Sequence, residues 1–198
     1  MKFDFVIKNK TENDVYVLSN LFYEITSCNL LYSHLCGKLY CDILNKSHNL
    51  KTILNNNINK VENKITSIKY IDPEIDYDNF CENNKVNEKV RAEFAFYTNL
   101  MKNKVIDYNI ITDIINKLFT VLDNYIEYGN KKNELDEISE IIYLVIYNSY
   151  QTIKENDCAL YKKIYEKVES VANMKIKNTP GITNKCIFKH MDLLDELS

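Results

Sequence analysis

His34, Cys36 and Cys41 are where soft ligands lie closest together in this chain, and a metal site is the first chemistry to consider there. On a helix, residues two apart point to different sides, so His34 and Cys36 do not chelate together readily. No second ligand pair follows at zinc spacing. The spacing therefore favours small core thiols beside a hydrogen-bonded histidine, with no metal. His48 and His190 are isolated in the sequence, so no Cys/His or Ser/His/Asp arrangement can be inferred from position. Glu134, Asp136, Glu137 and Glu140 cluster where a helix would begin, and acids there complement its dipole without any catalytic role. With Gly 3 in the whole chain, there is no Gly-rich phosphate loop. These residues predict neither an enzyme nor a cofactor. The six cysteines form no C-x-x-C pair and read as reduced, mostly buried thiols.

Binding chemistry remains. Lysines gather over 154–167 and again at Lys175, Lys177, Lys185 and Lys189. A weak RNA-contacting face would use Lys162, Lys163, Lys175, Lys177 and Lys189. The plainer and preferred account is a solvated surface in a Lys-rich chain. The net charge of −3 and a single arginine, Arg91, argue against a dedicated nucleic-acid binder. Tyr143, Tyr147, Tyr150, Tyr161 and Tyr165 recur at helical intervals and read as core and rim packing rather than base-stacking platforms.

The elements that must position these groups are helices. A chain of 198 residues with 45% hydrophobic residues can bury a substantial core, whereas Gly 3 and Pro 2 supply too few turns for a sandwich or barrel. The 24 Lys, 27 Asn and 24 Ile against 4 Ala follow AT-rich codons, so this bias reports base composition before function. Apolar residues recur at helical spacing in consecutive blocks. Thr11 or Asn13 can cap the first, carrying Val15, Leu18, Leu21, Phe22 and Ile25. Leu30, Leu31, Leu35 and Leu39 mark the second. Ser47 can cap the third, Leu50 to Ile65. The rhythm stops over 67–84, an acidic, Pro-containing connection that predicts a mobile link. Val86 to Met101 opens the fourth block, and its stripe predicts direct antiparallel packing on the third. Asp107 caps the fifth, which Gly129 stops. The sixth, about 133–155, is apolar nearly all round and predicts central burial. Asp157 caps the seventh, and an eighth follows Pro180-Gly181. No apolar run approaches a membrane span, and 1–10 lacks the pattern of a signal peptide. The expectation is a single all-α domain over 1–198, without a membrane segment. Helix pairs of this size stack as an α-solenoid or close into a bundle, and periodicity leaves both open.

Two stretches carry a resemblance. Ala92–Phe119, AEFAFYTNLMKNKVIDYNIITDIINKLF, resembles the third helix pair of the middle domain of eukaryotic translation initiation factor 4 gamma, through Phe96, Leu100, Met101, Val105, Ile106, Ile110, Ile114, Lys117, Leu118 and Phe119. Asn184–Glu196, NKCIFKHMDLLDE, is similar to the family's last conserved helix through Phe188, Asp192, Leu193, Leu194 and Asp195. In the same order, Asn29–Leu39 resembles an earlier helix through Tyr32, Cys36 and Leu39, and Leu50–Ile65 and Glu140–Tyr150 fit two more. Ser149-Tyr150 stands where the family usually has Gly, and Lys185 and Ile187 stand where it has an Arg pair. Both departures weaken the case for RNA affinity more than for the fold. At the N-terminus, either 5–18 replaces the family's opening segment through Ile7, Lys10, Thr11 and Val15, or the first helix is absent.

The resemblance implies an α-solenoid of four to five antiparallel HEAT-like helix pairs without catalytic activity. It implies a cytoplasmic translation-initiation scaffold that binds a DEAD-box RNA helicase, holds its two lobes in an active arrangement, and touches RNA weakly. A viral or parasite-encoded version is compatible with the codon bias. Other translation-initiation proteins would then sit on separate chains. Helicase contacts are expected at two tips, Phe5, Ile7 and Val15 at one and Lys185, Asp192 and Asp195 at the other. Phe188 and Leu194 are expected in the core. The alternatives are a middle-domain protein of mRNA decay or nuclear cap binding, and a helical interaction protein outside translation.

Overall fold

The computed structural model describes residues 11–44 and 47–198. Among the described residues the chain forms nine α-helices and no strand. They are α1 (Glu12–Ser27), α2 (Ser33–Leu44), α3 (His48–Ile58), α4 (Val61–Thr66), α5 (Tyr77–Lys102), α6 (Tyr108–Tyr128), α7 (Lys132–Asn156), α8 (Cys158–Ala172) and α9 (Asn184–Leu197).

Side-chain caps set most of the starts. The Thr11 hydroxyl accepts from the Asp14 amide at 3.2 Å while the Asp14 carboxylate accepts from the Thr11 amide at 3.1 Å, a capping box. Asp107 accepts from the Asn109 amide, Asp157 from the Leu160 amide, and the Thr183 hydroxyl from the Cys186 amide, at 2.8, 2.9 and 2.9 Å. Ser47 occupies the cap position of α3 without making the bond. Gly129, at φ 67, ends α6 in the left-handed region that a residue without Cβ reaches cheaply.

Several expectations change at this level. The third block is two helices, because the chain turns at Asn59–Lys60 between α3 and α4. Its backbone packs on α1 through α3 and on α6 through α4, and it meets α5 through the Lys64 side chain rather than along a shared stripe. The acidic connection is shorter than 67–84. Asp76 accepts from the Asn79 amide at 3.0 Å, so helix begins at Tyr77 and the link is confined to 67–76.

The core runs along the later helices. Ile138, Ile141, Ile142, Val145 and Ile146 of α7 are all buried, as the all-round apolar pattern predicted. On one side α7 packs on α5, with Phe94, Phe96, Tyr97 and Leu100 buried; on others it packs on α6, α8 and α9. Among the described residues, the packing order α2 on α5, α5 on α7, α7 on α9 is unbroken. Two glycines permit close approach. A Cβ on Gly37 would stand 3.0 Å from the Asn99 Cβ, where α2 crosses α5. A Cβ on Gly181 would fall 1.9 Å from the Ile126 carbonyl oxygen, which seats the link before α9 against the end of α6.

The first hairpin departs most from its sequence pattern. α1 buries Ser19, Tyr23, Thr26 and Ser27, whereas Leu21 and Ile25 are exposed. Leu30, Leu31, Leu35 and Leu39 are exposed as well, and α2 buries Ser33, Gly37 and Tyr40 instead. The small polar side of each helix faces inward because the bulky aromatic contacts, Phe22 on Tyr40 and Tyr23 and Tyr40 on Phe96, occupy the space beneath. The cysteines are not mostly buried either. Cys186 is buried, Cys36, Cys41 and Cys81 are half-buried, and Cys28 and Cys158 are exposed; all are free thiols.

Candidate partner-binding surface

The metal question resolves into geometry. His34 is exposed and Cys36 half-buried on opposite sides of α2, so the histidine is not the core residue that the spacing favoured. Burial raises the thiol pKa of both Cys36 and Cys41, which keeps them protonated and poor ligands. Among the described residues no group of three or more His, Cys, Asp or Glu side chains is placed to hold a metal ion. His190 is buried, and burial lowers its pKa to about 4.

At the N-terminal end, Val15 is half-buried on α1. Phe5 and Ile7, the other residues expected at this tip, lie outside the described residues. On another side of α1, Val17, Leu21 and Ile25 follow one another at four-residue steps and are exposed; Leu31, just before α2, and Leu35 and Leu39 on it do the same, with Leu31 at 83% exposure. Sequence reasoning placed Leu21, Ile25, Leu31, Leu35 and Leu39 on apolar helical stripes, and periodicity identifies an apolar face without saying what covers it.

At the C-terminal end, Lys185, Asp192 and Asp195 all lie on α9. Asp192 and Asp195 are exposed. Lys185 and Lys189 converge on Glu140 of α7, at 3.9 and 3.1 Å. The Lys189 ammonium also sits over the Tyr143 ring, 4.7 Å from its centroid. Leu194 is half-buried against the core, but Phe188 is 60% exposed, contrary to its expected core position. The buried face of α9 is Cys186, His190, Leu193 and Leu197, and Phe188 points away from that stripe.

The lysines expected to touch RNA do not make one face. Lys189 is paired to Glu140, Lys162 lies 4.0 Å from Glu166, and Lys163, Lys175 and Lys177 are exposed on α8 and the link after it. Lys167 is held by Asp123 at 2.6 Å. Carboxylates thus punctuate the positive charge. Arg91 bridges α5 to α7 through one guanidinium nitrogen on Glu137, at 2.8 Å, so it is engaged within the fold. Near it a groove of about 620 Å³ runs between Cys28 and Leu31, Ala92 of α5, and Glu140 and Leu144 of α7.

One polar cluster went unread. The Glu93 carboxylate accepts from the Tyr97 hydroxyl at 2.7 Å and also from the Tyr23 hydroxyl and the Lys64 ammonium, joining α1, α4 and α5. Burial first, with the Glu93 carboxylate among the further causes, raises both tyrosine pKa values far above their ordinary range. The signal was present, since Glu93 lies three residues after Val90 and four before Tyr97, on the core stripe.

Among the described residues no helix is long and apolar enough to cross a membrane. Comparisons with protein-family models, curated proteins and solved structures find no match to this chain.

Proposed function

We propose that this chain is a non-catalytic, cytoplasmic scaffold of translation initiation that binds and stimulates a DEAD-box RNA helicase, with other initiation proteins on separate chains. In this reading α1–α2, α6–α7 and α8–α9 are HEAT-like pairs in a stack that α5 joins, while α3 and α4 lie against α1 and α6. The observation that carries it is the unbroken packing of α2 on α5, α5 on α7 and α7 on α9, joined to the ordered resemblance of Ala92–Phe119 and Asn184–Glu196. A stiff row of helices with an end at each side suits a two-lobed partner, because linked modest contacts at a fixed span raise overall affinity through effective concentration. Such a scaffold acts by binding one helicase arrangement better than the other, a shift of population and not a chemical step. RNA contact in this reading is weak and carried by lysines, whose charge is partly cancelled by Glu140 and Glu166.

The test is helicase-stimulated ATP hydrolysis, measured beside a melting curve. Charge reversal at Asp192 and Asp195, or Val15→Asp, should reduce stimulation with melting unchanged. Ile114→Asp should lower stability throughout, because Ile114 is buried and an unpaired charge there has no partner. Normal stimulation by folded tip variants overturns the two-tip arrangement. A wild-type chain that neither binds nor stimulates a DEAD-box helicase overturns the translation reading.

A further inference from the structure

Asp136 of α7 accepts from the Thr183 hydroxyl, Glu140 faces Lys185 and Lys189, and Tyr143 faces Lys189, so α7 and α9 run side by side in the same direction. The pair already shows how this surface takes a cation. Lys189 is clasped between the Glu140 carboxylate and the Tyr143 ring. Tyr147 stacks on Tyr143 with centroids 5.7 Å apart and planes 6° from parallel, and it is 44% exposed. Further along α9, on the stripe that carries Lys185 and Lys189 onto α7, come Asp192 and Glu196 at three and seven residues after Lys189, with Asp195 beside them. None of these three carboxylates has an ion pair among the described residues, and all are exposed. One helical turn beyond the filled clasp there is thus a second ring and more carboxylates, with no cation between them.

We propose that Tyr147, Asp192 and Glu196 form a docking slot for an arginine side chain presented by a protein partner. A guanidinium stacks flat on a tyrosine ring while its fork donates to a carboxylate, which a compact ammonium does less well. A nucleobase could use the ring, but its phosphates would meet three unpaired carboxylates. The chain does not fill the slot itself, since its one arginine is held by Glu137. The exposed Phe188 beside Asp192 supplies apolar surface for the stem of the incoming residue. The slot deepens the scaffold reading and rests on it only for which partner brings the arginine.

The experiment is fluorescence anisotropy of the full chain with a labelled peptide carrying three arginines separated by Gly-Ser, and with its Lys-for-Arg and Glu-for-Arg versions. A labelled oligouridylate is run beside them. The arginine peptide should bind, the lysine peptide several-fold more weakly and the acidic peptide not detectably, while any weak RNA binding should be unchanged in the slot variants. Tyr147→Ala, and Asp192→Asn with Glu196→Gln, should each weaken arginine-peptide binding about tenfold or more, with unchanged melting. Asp72→Asn with Glu74→Gln removes two acids elsewhere and should change little, which separates the slot from general attraction to an acidic protein. No binding by wild type, equal loss in the 72/74 control, or unchanged binding in the slot variants overturns the proposal, as does RNA binding in place of peptide. Helicase capture by wild type reports separately on the scaffold reading and can fail while the peptide still binds.

Discussion

His190 lies one helical turn after Cys186 and donates from Nδ1 to the Cys186 carbonyl oxygen at 2.8 Å, which leaves its Nε2 buried with no hydrogen-bond partner. That tautomer is neutral, and a proton on Nε2 would place an unmatched charge in the core.

Stability should therefore fall in mild acid. The His190 pKa is lowered from 6.5 to about 4, chiefly by burial, so between those values the unfolded chain takes up a proton that the folded chain refuses. The contribution is fully present above pH 6.5 and is lost progressively toward pH 4, by an amount approaching roughly 3 kcal/mol. Urea unfolding at several pH values should show this slope, and His190→Leu should flatten it. An equal slope in the variant would assign the effect to other groups.

Glu93→Ala should destabilise the fold by about 3 kcal/mol or more, because it strands the Lys64 ammonium and two buried hydroxyls. Glu93→Gln keeps the shape and one acceptor and should cost less. Chemical denaturation of both variants checks the order. Equal costs would mean that charge is irrelevant at this junction.

The two glycines at the α6 end predict different penalties. Gly129→Ala should cost about 1–2 kcal/mol, the penalty for placing a Cβ in the left-handed region. Gly181→Ala should cost more, since its Cβ would overlap the Ile126 carbonyl oxygen and the backbone must shift. Melting temperatures of the two variants read the difference. A milder effect at Gly181 would show that the link before α9 gives way easily.

Limited proteolysis should cut first within 67–76. Lys69 and Glu74 are exposed there and lie outside any helix, so trypsin and a Glu-specific protease both have a site. Cleavage after Glu82 or Lys85, both in α5, should be slower. Early cuts in α5 would restore the longer connection that composition alone suggested.

The helical class and most helix starts were legible because caps and breakers act locally. Asp107, Asp157 and Gly129 need only their immediate neighbours to work. The central place of α7 was legible too, since a helix apolar all round has to be buried. What could not be read depended on neighbours distant in sequence. Leu31 and Leu35 have the spacing of a core stripe, yet α2 turns Ser33, Gly37 and Tyr40 inward because Gly37 allows it to approach Asn99 closely. The same holds for Phe188, whose stripe is decided by which side of α9 meets α7 and α8. At the candidate site, Asp192 and Asp195 were singled out from the resemblance, whereas the stacked Tyr143–Tyr147 pair was read as packing, because i,i+4 tyrosines look alike in a core and on a surface.

The inward polar face of α1 and α2 also sets how the molecule breathes. This hairpin is tied to the remainder by Tyr23 and Tyr40, by the Glu93 cluster and by the Asn99–Ser33 hydrogen bond at 2.9 Å, and by little aliphatic surface. Each hydrogen bond contributes only about 1 kcal/mol net, so a local opening here costs far less than global unfolding. Amide hydrogens of α1 and α2 should exchange with solvent deuterium well before those of α7, whose release requires the whole chain to unravel. The end of the molecule with its leucines already facing water is then also the end that detaches first, and a partner that covers those leucines would slow its exchange without touching the core.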